Sequence, residues 1–298
     1  MRIVSLLPSA TEIVYALGLG ADLVGVTHEC DFPEAARALP VLTASALPAA
    51  GSSAEIDRHV RRSLHAGSSL YSLDAELLER LAPDLILTQE LCAVCAVSYD
   101  IVARAAKRLR GDPRIVSLEP SSLDDVYATV ETVAALAGVP ERGATVVADL
   151  RARAARLAAR AAGPRPRALV LEWTDPPMSG GHWTPGLVEI AGGEPILCDP
   201  GANSRVLVWE SIAAADPDVV LVAPCGFGLA QARAAVAELA ANPHWTGLRA
   251  LREGRAYAID GNAYVNRPGP RLVETAEIFA DALAAAAPDG ARWARIAA

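Results

Sequence analysis

Apolar residues in this chain fall into short dense runs set between longer stretches of helical period. Residues 2–7 (RIVSLL), 23–28 (LVGVTH), 84–89 (DLILTQ) and 114–119 (RIVSLE) are runs of strand length rich in Ile, Leu and Val. Between them SATEIVYALGLG, AELLERLAP and VSYDIVARAAKRLRGD place apolar positions three and four apart. Runs that stay apolar instead of alternating belong to strands buried on both faces, and a parallel sheet covered by helices buries them. The first half is therefore expected to be an α/β layer structure.

The second half repeats the grammar. RALVLEW reads as a strand, TPGLVEIAGG as a helix closed by glycines, SIAAADPDVVLVAP as a helix and strand, and ALREGRAYAIDG as a helix end and strand. The closest internal match sets ELLERLAPDLILTQ against ESIAAADPDVVLVA. In each, a short helix leads to Pro-Asp, at Pro83-Asp84 and Pro217-Asp218, and then to a buried strand. The proline is expected to stop the helix and to favour a tight passage into the strand. Between the halves, residues 140–163 open on a proline that a first helical turn tolerates, are rich in Ala and Arg, and end at Gly163-Pro164. About 22 helical residues would span roughly 33 Å and form a rigid connector. The predicted fold class is α/β, with two α/β lobes of largely parallel sheets joined by one long α-helix. The N-terminal lobe covers 1–138, the connecting helix 139–164 and the C-terminal lobe 165–298.

Composition narrows the partners. A chain of 298 residues, 52% of them apolar, fills one large or two medium cores. Its net charge is −8 and its basic residues are scattered, so no stripe exists to track a phosphate backbone and no nucleic-acid partner is expected. No apolar stretch reaches the roughly 20 residues that cross a bilayer, so no membrane insertion is expected. The opening residues read as a first strand broken by Pro8, not as a basic segment, apolar core and cleavage site. As the chain is written the expected location is the cytoplasm, with the periplasm or cell surface the alternative if a leader has been removed. Five cysteines at irregular spacing form no disulfide framework.

In parallel α/β layers, ligands gather outside the carboxyl ends of the strands. The loops there are 5–9, 27–32 (THECDF), 88–99 (TQELCAVCAVSY), 119–122, 172–183 (EWTDPPMSGGHW), 224–227 (PCGF) and 260–267 (DGNAYVNR). They hold Trp173, Trp183, Tyr99, Tyr264, His28, His182 and four of the five cysteines in a chain with only 5% aromatic residues. That clustering predicts a large, partly apolar cleft; the alternative is that the loop aromatics only plug the interface between lobes. No G-x-S-x-G elbow, phosphate-binding loop, G-x-G-x-x-G after a strand or H-E-x-x-H is present. Glu29, Asp31, Glu119, Glu172 and Asp175 form no recognisable acid/base pair, so no catalytic residue is assigned and the chain is not expected to be an enzyme.

RIVSLLPSATEIVYALGLGADLVGVTHECDFP, AELLERLAPDLIL, PPMSGGHWTPGLVEIAGGEPIL and RPGPRLVETAEIFADAL resemble, in order and over about residues 1–285, the vitamin B12-binding substrate-binding proteins of ABC importers. These belong to the helical-backbone receptor group that also takes up iron-siderophores and haem. The resemblance implies two α/β lobes joined by one long helix, ligand held between the lobes, and acidic residues on each lobe that pair with arginines of an ABC permease. Glu210 matches one such acid, and Asp74 or Glu76 stands near the other. Their alternative role is as solvated carboxylates near helix N-termini. The implied cargo is cobalamin or a related corrinoid or metal chelate, which needs broad apolar faces and a few amide-pairing groups. The candidate contacts are Phe32, Tyr99, Trp173, His182, Trp183, Phe227, Tyr264 and Arg267. Gly180 and Gly181, just before His182, permit close approach to a ligand.

Cys92-Ala-Val-Cys95 is not part of that resemblance, and three readings of it stay open. As a redox pair it would sit before a helix whose N-terminus lowers a thiol pKa. As a metal site it would join Cys30 and His28 of THEC, a set suited to tetrahedral zinc or an iron–sulfur cluster. As small apolar residues the two cysteines would fill a turn. The metal reading carries the alternative function, a cytoplasmic metal- or thiol-dependent enzyme centred on Cys30, Cys92 and Cys95.

Overall fold

The computed structural model describes residues 1–47, 51–66, 70–89, 99–106, 112–161 and 163–297. In chain order, the elements up to residue 136 are β1 (Ile3–Ser5), α1 (Pro8–Ala16), β2 (Leu23–Gly25), β3 (Thr43–Ser45), α2 (Ser53–His65), β4 (Tyr71–Leu73), α3 (Ala75–Leu81), β5 (Leu85–Thr88), α4 (Tyr99–Ala106), β6 (Arg114–Ser117) and α5 (Leu123–Leu136). Helix α6 (Pro140–Arg160) follows, with its proline in the first turn where a missing N–H costs nothing. The chain then forms β7 (Arg167–Thr174), β8 (Pro177–Ser179), α7 (Thr184–Ile190), β9 (Glu194–Pro195), α8 (Trp209–Ala215), β10 (Val219–Val222), α9 (Leu229–Glu238), α10 (Pro243–Thr246), α11 (Arg249–Arg252), β11 (Ala256–Ile259), α12 (Leu272–Leu283) and β12 (Trp293–Arg295).

These elements form two units. One contains Met1–Gly51, Arg58–Pro120 and Asp125–Ala148; the other contains Ser52–Asp57, Ser121–Asp124 and Asp149–Ala298. Along the chain the last change from the first to the second falls within α6, after two short earlier crossings. In the first unit the four apolar runs become parallel strands in the order β2-β1-β5-β6. Val4, Leu6, Leu42, Leu78, Ile86 and Val102 pack into one core cluster there. In the second unit the order is β12-β11-β10-β7-β8, with β9 also pairing with β7. Strands β7, β10 and β11 run parallel, while β8 and β12 are antiparallel additions at the two edges. All four residues of β10 are buried, as an unbroken apolar run requires. The chain leaves β1 toward β2 and later returns to its other side, so strand order reverses between β1 and β5. It reverses likewise between β7 and β10.

The Pro-Asp passage is built the same way twice. Helix α3 ends on Ala82 (φ 42) and α8 on Asp216 (φ 41), so a left-handed residue ends each helix ahead of the proline. The following aspartate then clamps the start of a neighbouring strand. Arg2 N–H donates to Asp84 Oδ2 at 2.7 Å and Asp84 N–H returns to Arg2 O at 2.8 Å. Arg167 N–H donates to Asp218 Oδ2 at 2.8 Å and Asp218 N–H returns to Arg167 O at 2.8 Å.

Candidate functional site

In the second unit the reversal of strand order gathers most of the expected ligand contacts. β7 ends with Glu172, Trp173 and Thr174, and β10 is followed by Ala223 to Phe227. The two ends are tied by Ala223 N–H to Leu171 O at 2.8 Å and Cys225 N–H to Glu172 O at 3.0 Å. Trp173 and Phe227 meet with ring centroids 5.2 Å apart, and Trp173 Nε1 donates to Asp175 O at 3.1 Å. Phe227 O accepts from Asn262 N–H at 3.0 Å, which joins the segment after β11 to this edge.

Asp260 caps that segment through Ala263 N–H at 2.7 Å, and Gly261–Val265 form a single π-helical turn. A side chain at Gly261 would meet the carbonyls of Ala223 and Pro224, so only glycine lets the turn lie this close. Arg267 is buried and donates from Nη2 to Asn262 Oδ1 at 3.1 Å. The Arg271 guanidinium lies 5.3 Å over the Tyr264 ring. Burial, and then the charge of Glu274, push the Tyr264 phenol above its ordinary range, so it stays a neutral donor.

The loop before α7 holds His182 and Trp183. Trp183 is buried, donates from Nε1 to Val265 O at 2.9 Å, and stacks on His182 at 5.4 Å. His182 has φ 50, and its Nε2 lies 2.8 Å from Asn203 Oδ1. Its backbone is held from both sides, N–H to Ala202 O at 2.6 Å and O from Gly201 N–H at 3.1 Å. Trp173, His182, Trp183, Phe227, Tyr264 and Arg267 therefore lie at the strand ends and in the connections of one unit, and the pairs Trp173–Phe227 and His182–Trp183 are in ring contact. Trp183, Phe227 and Arg267 are themselves buried, so the arrangement packs flat aromatic rings against one another beside guanidinium groups at the strand ends.

In the first unit Phe32 is 45% exposed, and Tyr99 opens α4. His28 Nδ1 lies 2.7 Å from Thr43 Oγ1, its Nε2 3.4 Å from Glu29 Oε1, and its ring 5.6 Å from that of Tyr71. Cys30 is buried, its Sγ 3.0 Å from Thr11 Oγ1 and 3.5 Å from Thr27 Oγ1. Cys92 and Cys95 lie outside the described residues. Among the described residues no three His, Cys, Asp or Glu side chains are grouped to hold a metal ion, so the zinc and iron–sulfur reading draws no support from them. Asp74 Oδ1 accepts from Leu77 N–H at 2.8 Å and caps α3, while exposed Glu76 sits in its first turn. Glu210, in the first turn of α8, is exposed and 3.4 Å from His244 Nε2.

A family model described as periplasmic binding protein matches residues 3–263. The chain belongs to this family. A vitamin B12-binding protein of Vibrio cholerae is 24% identical over 291 aligned residues, covering 93% of this chain and 86% of the relative. The crystal structure of the periplasmic vitamin B12 binding protein of Vibrio cholerae superposes with TM-score 0.68 at 24% identity, over 95% of this chain and 96% of the other. A periplasmic heme-binding protein from Roseiflexus sp. RS-1 superposes with TM-score 0.69 at 27% identity, over 95% and 98%. Members of a periplasmic binding protein family bind and do not turn over substrate, so the enzyme alternative finds no support. Nor does the cytoplasmic expectation, since the family and these relatives are periplasmic by description. No helix among the described residues is long and apolar enough to cross a membrane.

Sequence reasoning passed over several residues of this periplasmic binding protein that build the loops. Asn203, Ser204, Asn262 and Arg271 each hold an expected contact residue or its loop; Asn262 and Arg271 fall within quoted stretches but were given no role there. Glu172 was weighed only as half of an acid/base pair. Its one signal is a carboxylate at the end of an otherwise apolar strand.

Proposed function

We propose that this periplasmic binding protein holds cobalamin or a related corrinoid or metal chelate and delivers it to an ABC permease. The observation that carries the reading is the similarity to a vitamin B12-binding protein along 93% of the chain. The aromatic pairs of the second unit fit the same reading. Trp173 and Phe227 supply a broad apolar face, His182 and Trp183 a second, and Tyr264 and Arg267 the polar groups that pair with ligand amides. Phe32 and Tyr99 are the contacts assigned in the first unit. Exposed Glu210, with Asp74 and Glu76, is assigned to the permease.

Cyanocobalamin titrated into the purified protein is expected to quench tryptophan emission and to saturate at one ligand per chain, with Kd about 1 μM or tighter. Absence of saturable quenching up to about 100 μM overturns the corrinoid reading. The 27% identity to a periplasmic heme-binding protein favours haem as the second reading. A parallel haemin titration, followed by its absorption band, separates the two.

A further inference from the structure

Strand β7 ends on a carboxyl for which the proposed ligand contacts have no task. Glu172 Oε1 accepts from Gly181 N–H at 3.3 Å and from the Thr184 hydroxyl at 2.9 Å, while Oε2 is hydrogen-bonded to the Ser204 hydroxyl. These partners lie on two segments, the loop that carries His182 and Trp183 with the first residue of α7 after it, and the stretch that carries Asn203. The two segments are pressed together. A side chain at Gly181 would run into the backbone of Ala202, Asn203 and Ser204, and His182 is held in the left-handed region against Ala202. Glu172 bonds to both from β7.

Its two oxygens have different needs. Oε1 faces two donors and must accept from both. Oε2 faces a hydroxyl, which can either give or take a proton. A neutral acid satisfies the whole set without placing a charge under the loop. Burial pushes the Glu172 carboxyl above the ordinary carboxylate range, against the hydrogen bonds from Ser204, Thr184 and Gly181 that pull it down. Asp199 and Arg205 on the stretch after β9, Glu189 on α7 and Glu172 itself all act on the Cys198 thiol; His182 lies on the loop, and Asp175 and Cys225 follow β7 and β10. The Cys198 thiol is pushed up to about 11 by burial and then by Asp199, so it is neutral. Asp199 and Arg205 pair with each other at 3.3 Å, and His182 is engaged by Asn203.

We propose that Glu172 is the positioning residue of the ligand-holding loop and works as a neutral acid, donating from Oε2 to Ser204 Oγ and accepting at Oε1 from Gly181 and Thr184. Ligand affinity then follows the proton on this one side chain. This rests on the receptor reading above, in which His182 and Trp183 touch the ligand.

The folded carboxyl keeps its proton to higher pH than the unfolded chain does. Its contribution is therefore complete below the unfolded value and is lost as pH rises through the folded one, when a buried charge loosens the loop. Cyanocobalamin and haemin are titrated into the wild type, E172Q and E172A between about pH 4.5 and 8. Glutamine repeats the neutral acid, accepting through Oε1 and donating from Nε2 to Ser204. The wild-type Kd is expected to rise about tenfold across the window, the E172Q Kd to stay level, and E172A to bind weakly throughout. A level wild-type profile, or an E172Q profile that keeps the wild-type slope, overturns the proposal and leaves the receptor reading standing. If neither ligand binds at any pH, the receptor reading falls and the proposal with it. T184V tests the idea with the carboxyl intact. Losing one donor raises the pH at which Kd climbs, an unmoved midpoint overturns the assignment, and this variant decides alone if E172Q does not fold.

Discussion

Trp183 ties an expected ligand contact to the interior of its unit. Its ring stacks on His182 while its Nε1–H reaches the Val265 carbonyl, so W183F keeps an aromatic face and leaves that carbonyl without its donor. The expected cost is about 1–3 kcal/mol, read from urea unfolding; a loss below about 0.5 kcal/mol would show that water replaces the indole. Gly181→Ala tests the neighbouring position. Its methyl group has only backbone to displace, so ligand affinity is expected to drop about tenfold or more in the quenching titration, and an unchanged Kd would mean the loop adjusts freely. His182 and Trp183 stood out in the sequence because two glycines precede them in one of the strand-end loops where the chain's few aromatics cluster. The bonding of Glu172 was not legible there. Its partners lie 9, 12 and 32 residues away and are a glycine, a threonine and a serine, which carry no pattern until the fold brings them to one carboxyl.

Among elements, the strands drawn from dense apolar runs were legible and those outside such runs were not. β1, β2, β5, β7, β10 and β11 come from apolar runs and are mostly buried, whereas β6, read from a run of the same kind, has no buried residue. β3, β4, β8, β9 and β12 lie outside the dense apolar runs and have two or three residues each, too few positions to display a period of two. The Pro-Asp repeat was visible, but its role was assigned to the proline, whereas the left-handed Ala82 and Asp216 end the helices and the aspartates pin the strands. Asp84→Ala is expected to speed amide exchange along β1 and β5 while β7 and β10 keep wild-type protection, and Asp218→Ala to do the reverse. Equal acceleration in both sheets would show that the clamps do not act locally. Hydrogen bonding to Arg249 and to the Arg167 amide holds the Asp218 carboxyl below its ordinary range. Its contribution is present above the unfolded carboxylate value and is lost as pH falls through the lowered one. The second sheet should thus begin to loosen only below about pH 4.

For the whole molecule, the receptor reading predicts a separation between holding a ligand and handing it over. Glu210→Lys combined with Glu76→Lys is expected to leave the cobalamin Kd unchanged and to reduce permease-dependent uptake about tenfold, a direct reversal of charge at two exposed carboxylates. Uptake that survives both changes would remove these acids from the docking surface. Asp74→Ala is expected to behave differently, because Asp74 also caps α3 and its loss costs about 1 kcal/mol of helix stability. The paired clamps bear on the way the chain assembles. Each closes a loop, of 82 residues between Arg2 and Asp84 and of 51 between Arg167 and Asp218. Closure entropy grows with the logarithm of loop length, so the longer loop costs only about 0.4 kcal/mol more, roughly a twofold difference in rate. Chain statistics give neither half a head start, and on dilution from denaturant both sheets should acquire exchange protection together.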